Sequence, residues 1–152
     1  METAKDELAA VYQDKATGKF WLKCYAIAET QAGGYLMLIR LPLPNTEELI
    51  SVAITSEYED EAVAAILRLL DEEKLEKKGF RDLLLEKLEH ANMDASDIRF
   101  KNRLKRLITL SRLNDPINRR EVLGKSKTEV QQDATYFRSI AERATTLLQK
   151  LN

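Results

Sequence analysis

The sequence predicts an α+β fold, with an N-terminal antiparallel β-meander of three to four strands over residues 1–55 and a helical C-terminal part of four to five helices over residues 56–152. Three observations carry this expectation. The first 55 residues hold β-prone runs separated by Gly-, Asp- and Pro-marked turns. From Ser56 onward apolar residues recur every three or four positions instead. Ser-x-x-Glu sequences, a helix-start signal, open two of the later stretches. A sheet first and helices after it is the order of an α+β chain. The length of 152 residues is that of one domain, or of one small domain with an appended helical part, and of the two the expectation is that sheet and helices pack as one domain.

In the stretch "VYQDKATGKFWLKCYAIAE", Asp14, Thr17 and Gly18 separate two β-prone runs, and Gly18 is placed to supply a positive φ. This is a hairpin signature, although residues 3–13 would also tolerate a short helix. "TQAGG" at 30–34 reads as a second turn. "YLMLIRL" follows it with Tyr35, Met37, Ile39 and Leu41 on one face, and Pro42 and Pro44 end that strand or place it at an edge. "LISVAIT" at 49–55 is expected to be a fourth strand. Part of the first hairpin, "DKATGKFW", resembles the small three-stranded DNA-binding sheets of phage-type integrase arms. The match spans about eight residues of a common turn and carries no functional residue, so no site is transferred from it.

In the helical part, Ser56 and Glu59 read as a capping box, and Glu57, Asp60 and Glu61 complement the positive end of the helix dipole. Val63, Ile66, Leu67 and Leu70 form its buried stripe, and Gly79 is its stop. A second helix is expected over about 80–91, with Phe80, Leu83, Leu84 and Leu88 inward. A third, capped by Asp94 or Ser96, should reach about Leu113. "NDPINRREVLG" reads as a short helix with Asp115 as cap, Pro116 first and Gly124 at the end. Ser126 and Glu129 form a capping box for the last helix, which keeps helical apolar spacing from Val130 to Leu151.

Charge is unevenly distributed along the chain. The formal net charge is −1, yet residues 98–127 hold ten Lys or Arg against Asp115 and Glu121, a local charge of +8. Residues 47–97 hold fifteen acids and six bases, a local −9. On the third helix Arg99, Arg103 and Arg106 share one stripe, with Lys101, Lys105 and Arg112 on a second. Arg119, Arg120, Lys125 and Lys127 extend the array. Such an array can engage phosphates, which give affinity without reading sequence. The bland alternative is a solvated face, or a face neutralised by the chain's own acidic helices.

Catalytic signatures are sparse. No phosphate-binding loop and no Gly-x-Ser-x-Gly elbow is present. His90 is the only histidine and Cys24 the only cysteine, so an intramolecular disulfide and a multi-cysteine zinc site are excluded and most zinc constellations are removed. The acidic runs "EYEDE" and "DEEKLEK" lack the alternating ligands and glycine of a calcium loop. A helix-turn-helix drawn on "EKLEHANMDASDI" lacks the small residue its second helix would need for packing.

The expectation is therefore a non-enzymatic binding or adaptor protein, without metal or cofactor, whose basic segment contacts nucleic acid or a nucleoprotein partner. The rival is a protein–protein module, a subunit, regulator or chaperone-like dimer, whose basic segment docks an acidic protein surface. Phe137, Ile140, Leu147, Leu148 and Leu151 are its candidate interface for a partner or a second copy, with "YLMLIRLPLP" as a candidate edge for a partner strand. The acidic N-terminus and the absence of a long apolar run lead to an expected cytoplasmic location, away from membranes.

Overall fold

A computed structural model describes residues 2–3, 9–26, 35–93 and 96–152. Four strands, β1 (Glu2–Thr3), β2 (Ala10–Gln13), β3 (Phe20–Ala26) and β4 (Tyr35–Arg40), form one antiparallel sheet in the order β1-β2-β3-β4. Five helices follow: α1 (Thr46–Thr55), α2 (Glu59–Glu76), α3 (Arg81–Met93), α4 (Ile98–Leu110) and α5 (Lys127–Leu151). The architecture is α+β, as the change of period predicts. The chain divides into two compact units, Met1–Lys77 and Lys78–Asn152. The expected boundary at 55/56 follows the change of period, whereas the compact units divide after α2.

In the first unit the β2–β3 hairpin forms where the sequence places it. Asp14 accepts the Ala16 N–H (2.9 Å) and the Thr17 hydroxyl (2.5 Å), and Gly18 adopts φ +70°. Tyr12 stands opposite Trp21, which stands opposite Arg40; Lys23 stands opposite Leu38. Side chains alternate across the pleat, so this register fixes two faces. Met37 and Ile39 are buried, on the face where β3 and β4 pack against α2, while Leu36 and Leu38 point the other way and are exposed. β4 ends at Arg40, just ahead of Pro42. The "TQAGG" turn lies outside the described residues. The helical alternative over 3–13 gives way to strand at Thr3 and at Ala10–Gln13.

The fourth strand expected at 49–55 is instead α1. Its start is an Asn45–Glu48 capping box: Asn45 Oδ1 accepts the Glu48 N–H and Glu48 Oε2 accepts the Asn45 N–H, both at 2.8 Å. The β-branched residues Ile50, Val52 and Ile54 favour a strand, but Leu49, Ile50, Ala53 and Ile54 are buried at helical spacing. Packing against α2 overrides the weak local preference.

Two helix ends also move. Ser56 is the C-cap of α1 rather than a capping-box residue of the next helix. Its hydroxyl donates to Glu61 Oε2 (2.5 Å) and accepts the Tyr58 N–H (3.1 Å). α2 starts without a side-chain cap, on the acids Glu59, Asp60 and Glu61. It stops at Lys77, which takes the left-handed conformation (φ 58°), two residues before the expected Gly79.

In the second unit α3 and α4 pack on α5. Leu84, Leu85, Leu88, Leu104, Leu107, Ile108 and Leu113 are buried, with Phe137, Ile140, Ala141, Ala144, Leu147 and Leu151 from α5. The cap of α4 is Asp97, which accepts the Arg99 N–H at 2.9 Å. Of the expected caps, Ser96 is exposed and Asp94 lies outside the described residues. α4 ends at Leu110, and Arg112 turns left-handed (φ 54°).

No helix forms over 114–124. Asp115 Oδ1 accepts the Ile117 N–H (3.0 Å) and Asn118 Oδ1 accepts the Arg120 N–H (2.9 Å). These two side-chain turns satisfy backbone donors locally and compete with helix formation. The Ser126–Glu129 capping box of α5 is present as expected.

Candidate nucleic-acid interface

α4 presents the basic segment. Its sequence IRFKNRLKRLITL carries five cations and no acid. Leu104, Leu107 and Ile108 hold one side in the core, which turns Arg99 and Arg106 outward and leaves Lys101, Arg103 and Lys105 half-buried along the flanks. Arg112, just past the helix, is exposed. These six therefore occur on one helix and its end.

The cations beyond Arg112 lie in the irregular segment after α4 and at the start of α5. Arg119 pairs with Asp115 at 2.8 Å, and Arg120 pairs with Asp133 of α5 at 2.6 Å. Lys125 donates to the other oxygen of Asp133. The Arg120 guanidinium also lies 4.4 Å from the centre of the Tyr136 ring. Asp133 thus ties the irregular segment 115–125 to α5 by two charge-assisted bonds. Lys127 opens α5 and is exposed. Sequence reasoning listed the cations but missed Asp133, whose signal is its position four residues before Phe137, on the inward side of α5.

Lys125 and Arg120, in that order, hold the Asp133 carboxyl below the usual carboxylate range. The sign follows: a carboxylate with a depressed folded-state pKa contributes stability above its unfolded value near 3.9, and loses it as pH falls through the folded value. Acid below that range should therefore release segment 115–125 first. NMR shifts of residues 119–126 are expected to move with one apparent pKa below 3.9. In Asp133→Asn the acid pattern should already be present at neutral pH. Shifts that stay fixed until global unfolding would show that the clamp does not hold the segment.

A second cation is buried outright. Arg81, the first residue of α3, is 1% exposed and donates from Nη1 to the carbonyls of Arg112 (3.1 Å) and Ser111 (3.4 Å). Its guanidinium lies between the rings of Phe80 (5.3 Å) and Phe137 (5.0 Å). It donates to two carbonyls just past the end of α4, one of which also accepts the Asp115 N–H, and so fixes the C-terminal end of the basic helix relative to α3.

The expected interface residues of α5 are not on a surface. Phe137, Ile140, Leu147 and Leu151 are buried and Leu148 is half-buried, because the apolar side of α5 is the one α3 and α4 pack against. On its outer rim Arg143 bonds Glu89 at 2.8 Å.

His90 is exposed, with Nδ1 2.8 Å from the Glu86 carbonyl of its own helix. Cys24 is half-buried, and burial pushes its thiol up from the ordinary value. Among the described residues no cluster of three or more His, Cys, Asp or Glu could hold a metal ion, and no helix is long and apolar enough to cross a membrane. Compared with protein-family models, curated proteins and solved structures, the chain finds no match in any of the three.

Proposed function

We propose that this chain is a non-enzymatic binding or adaptor protein that contacts nucleic acid through the cationic side of α4. The observation that carries the reading is charge placed against the interest of the helix itself. Arg99 and Lys101 stand in the first turn, where the helix dipole is positive, and the last turn carries no basic residue. Arg99 and Arg103, Lys101 and Lys105, and Arg103 and Arg106 are like-charge neighbours three or four residues apart. Each such pair costs a few tenths of a kcal/mol, about 0.2–0.5. Cations serving helix stability would be arranged the other way round. Phosphate groups are the ligand chemistry that turns this cost into affinity.

The test is fluorescence anisotropy with labelled duplex DNA, single-stranded DNA and RNA. If the five cations of α4 each engage a phosphate of a duplex, affinity falls roughly 500-fold between 50 and 200 mM salt. Arg99→Glu separates function from folding. It places an acid where the dipole favours one, so Tm is expected to hold or rise, while binding weakens roughly tenfold and the salt slope drops by about 0.9. Absence of binding at 50 mM salt, or a Tm that collapses with Arg99→Glu, would overturn the reading.

One observation favours a rival. The segment after α4 exposes Ile117, Val122 and Leu123, the last 89% exposed, beside Arg119, Arg120 and Lys125. An apolar centre with a charged rim is the composition of a protein interface. In that reading the chain is a protein–protein module and the segment docks an acidic protein surface. Absence of nucleic-acid binding at low salt would favour it.

A further inference from the structure

We propose that the outer face of the sheet in the first unit is a stacking platform for the unpaired bases of single-stranded nucleic acid. The site lies in a different unit from α4 and shares no residue with it, so it stands or falls separately from the function proposed above.

The strand register places Tyr12, Trp21 and Tyr25 on this face, with Lys23 between Trp21 and Tyr25 along β3 and Arg40 beside Trp21 on β4. Along β3 the order is ring, cation, ring at every second residue: Trp21, Lys23, Tyr25. Tyr12, Tyr25, Leu36 and Leu38 are exposed. A shallow depression of about 480 Å³ opens between Tyr12, Trp21, Lys23, Leu36 and Leu38. The Arg40 guanidinium lies over the Trp21 ring, 5.3 Å from its centre. Among the described residues that line the depression the acid is Asp14, which is engaged in its own turn by Thr17 and Ala16.

Two physical arguments choose the occupant. Flat rings and guanidinium planes stack on bases of any sequence, and interleaved cations meet the backbone between them; this is how sheet faces hold single strands. A second copy of the chain is disfavoured by the same residues. A two-fold interface would lay this face, with both Lys23 and Arg40, against an identical cationic face, and bringing two faces of one sign together is costly. Duplex DNA hides its base faces inside the stack, so it would leave the rings unused.

Trp21 is the only tryptophan, so tryptophan emission, excited where tyrosine does not absorb, reports on the surroundings of this residue. The experiment titrates unlabelled oligothymidylate of about twelve nucleotides, a length within the span of known single-strand sites, into the full chain at low salt. Saturable quenching of Trp21 emission is the expected result. Tyr12→Ala and Lys23→Glu should each weaken the oligonucleotide affinity roughly tenfold, since one stacked base or one backbone contact is lost. Lys23→Glu keeps every ring in place, so it serves even if Tyr12→Ala fails to fold.

The double variant Arg99→Glu/Arg106→Glu should quench as the parent does, whatever becomes of duplex binding. No quenching in the parent chain would overturn the proposal, as would quenching unchanged in both sheet variants or lost only in the α4 variant. A change in emission with protein concentration alone would also overturn it and assign the face to a second copy.

Discussion

Replacing Arg81 by Ala should unfold the second unit more readily than any surface change, at a cost of about 3–5 kcal/mol. The side chain is buried between Phe80 and Phe137 and feeds the carbonyls of Ser111 and Arg112. Truncation removes packing volume from the core and takes the side-chain donor from the Ser111 carbonyl, while the Arg112 carbonyl keeps the Asp115 N–H. A stranded buried acceptor costs about 1–3 kcal/mol, and the cavity adds to it. In a unit of this size 1 kcal/mol moves Tm by about 4–8 °C, so a fall of at least 12 °C is expected by circular dichroism at 222 nm. Arg81→Met retains most of the volume and loses the donors and the charge against the two rings, and should cost roughly half as much. Equal losses in the two variants would show that the packing volume carries nothing and that the polar contacts account for the whole effect.

Phe137→Ala is expected to cost a similar amount, about 3–5 kcal/mol, and to leave the association state unchanged. Phe137 is 1% exposed, meets Tyr136 edge to face (5.4 Å between ring centres, 88° between planes) and lies against the guanidinium groups of Arg81 and Arg120. An interface residue would give the opposite signature, a lower mass in sedimentation equilibrium with little change in Tm. Because Phe137 and Arg81 touch, their effects should not add: the double variant is expected to fall short of the sum by about 0.5–3 kcal/mol.

The fold was legible in the sequence where one signal acted alone. Gly18 between two β-prone runs and Ser126–Glu129 ahead of a long amphipathic stretch form the expected structures because local preference and burial agree there. Misreadings occur where two signals compete. "LISVAIT" has the β-branched content of a strand, and the Asn-Thr-Glu-Glu ahead of it, which starts a helix, carries the decisive information. Asp115 followed by Pro116 looks like a helix start, but Asp115 and Asn118 use their side chains to build turns.

The basic cluster was legible as a count, not as an arrangement. Five of its cations belong to α4, whereas Arg119, Arg120 and Lys125 are held by Asp115 and Asp133. Those pairings span four to thirteen residues, and two of them depend on how α5 is turned toward the loop. The rings of the outer sheet face were equally hidden. Trp21, Lys23 and Tyr25 alternate visibly along one strand, but only the register brings Tyr12 and Arg40 alongside.

The last strand of the sheet has a consequence for how the chain behaves in a crowded solution. β4, at the end of the strand order, is six residues reading YLMLIR, with high β-propensity and one charge. Segments of that length and composition are the units that assemble into amyloid when an edge lies open. Here the segment is closed off at its C-terminal end by Arg40 and then by Pro42 and Pro44, which cannot donate to a growing ladder. A cation and two prolines at that point act as gatekeepers, limiting the run on which another chain could template and favouring a soluble native state over fibril growth.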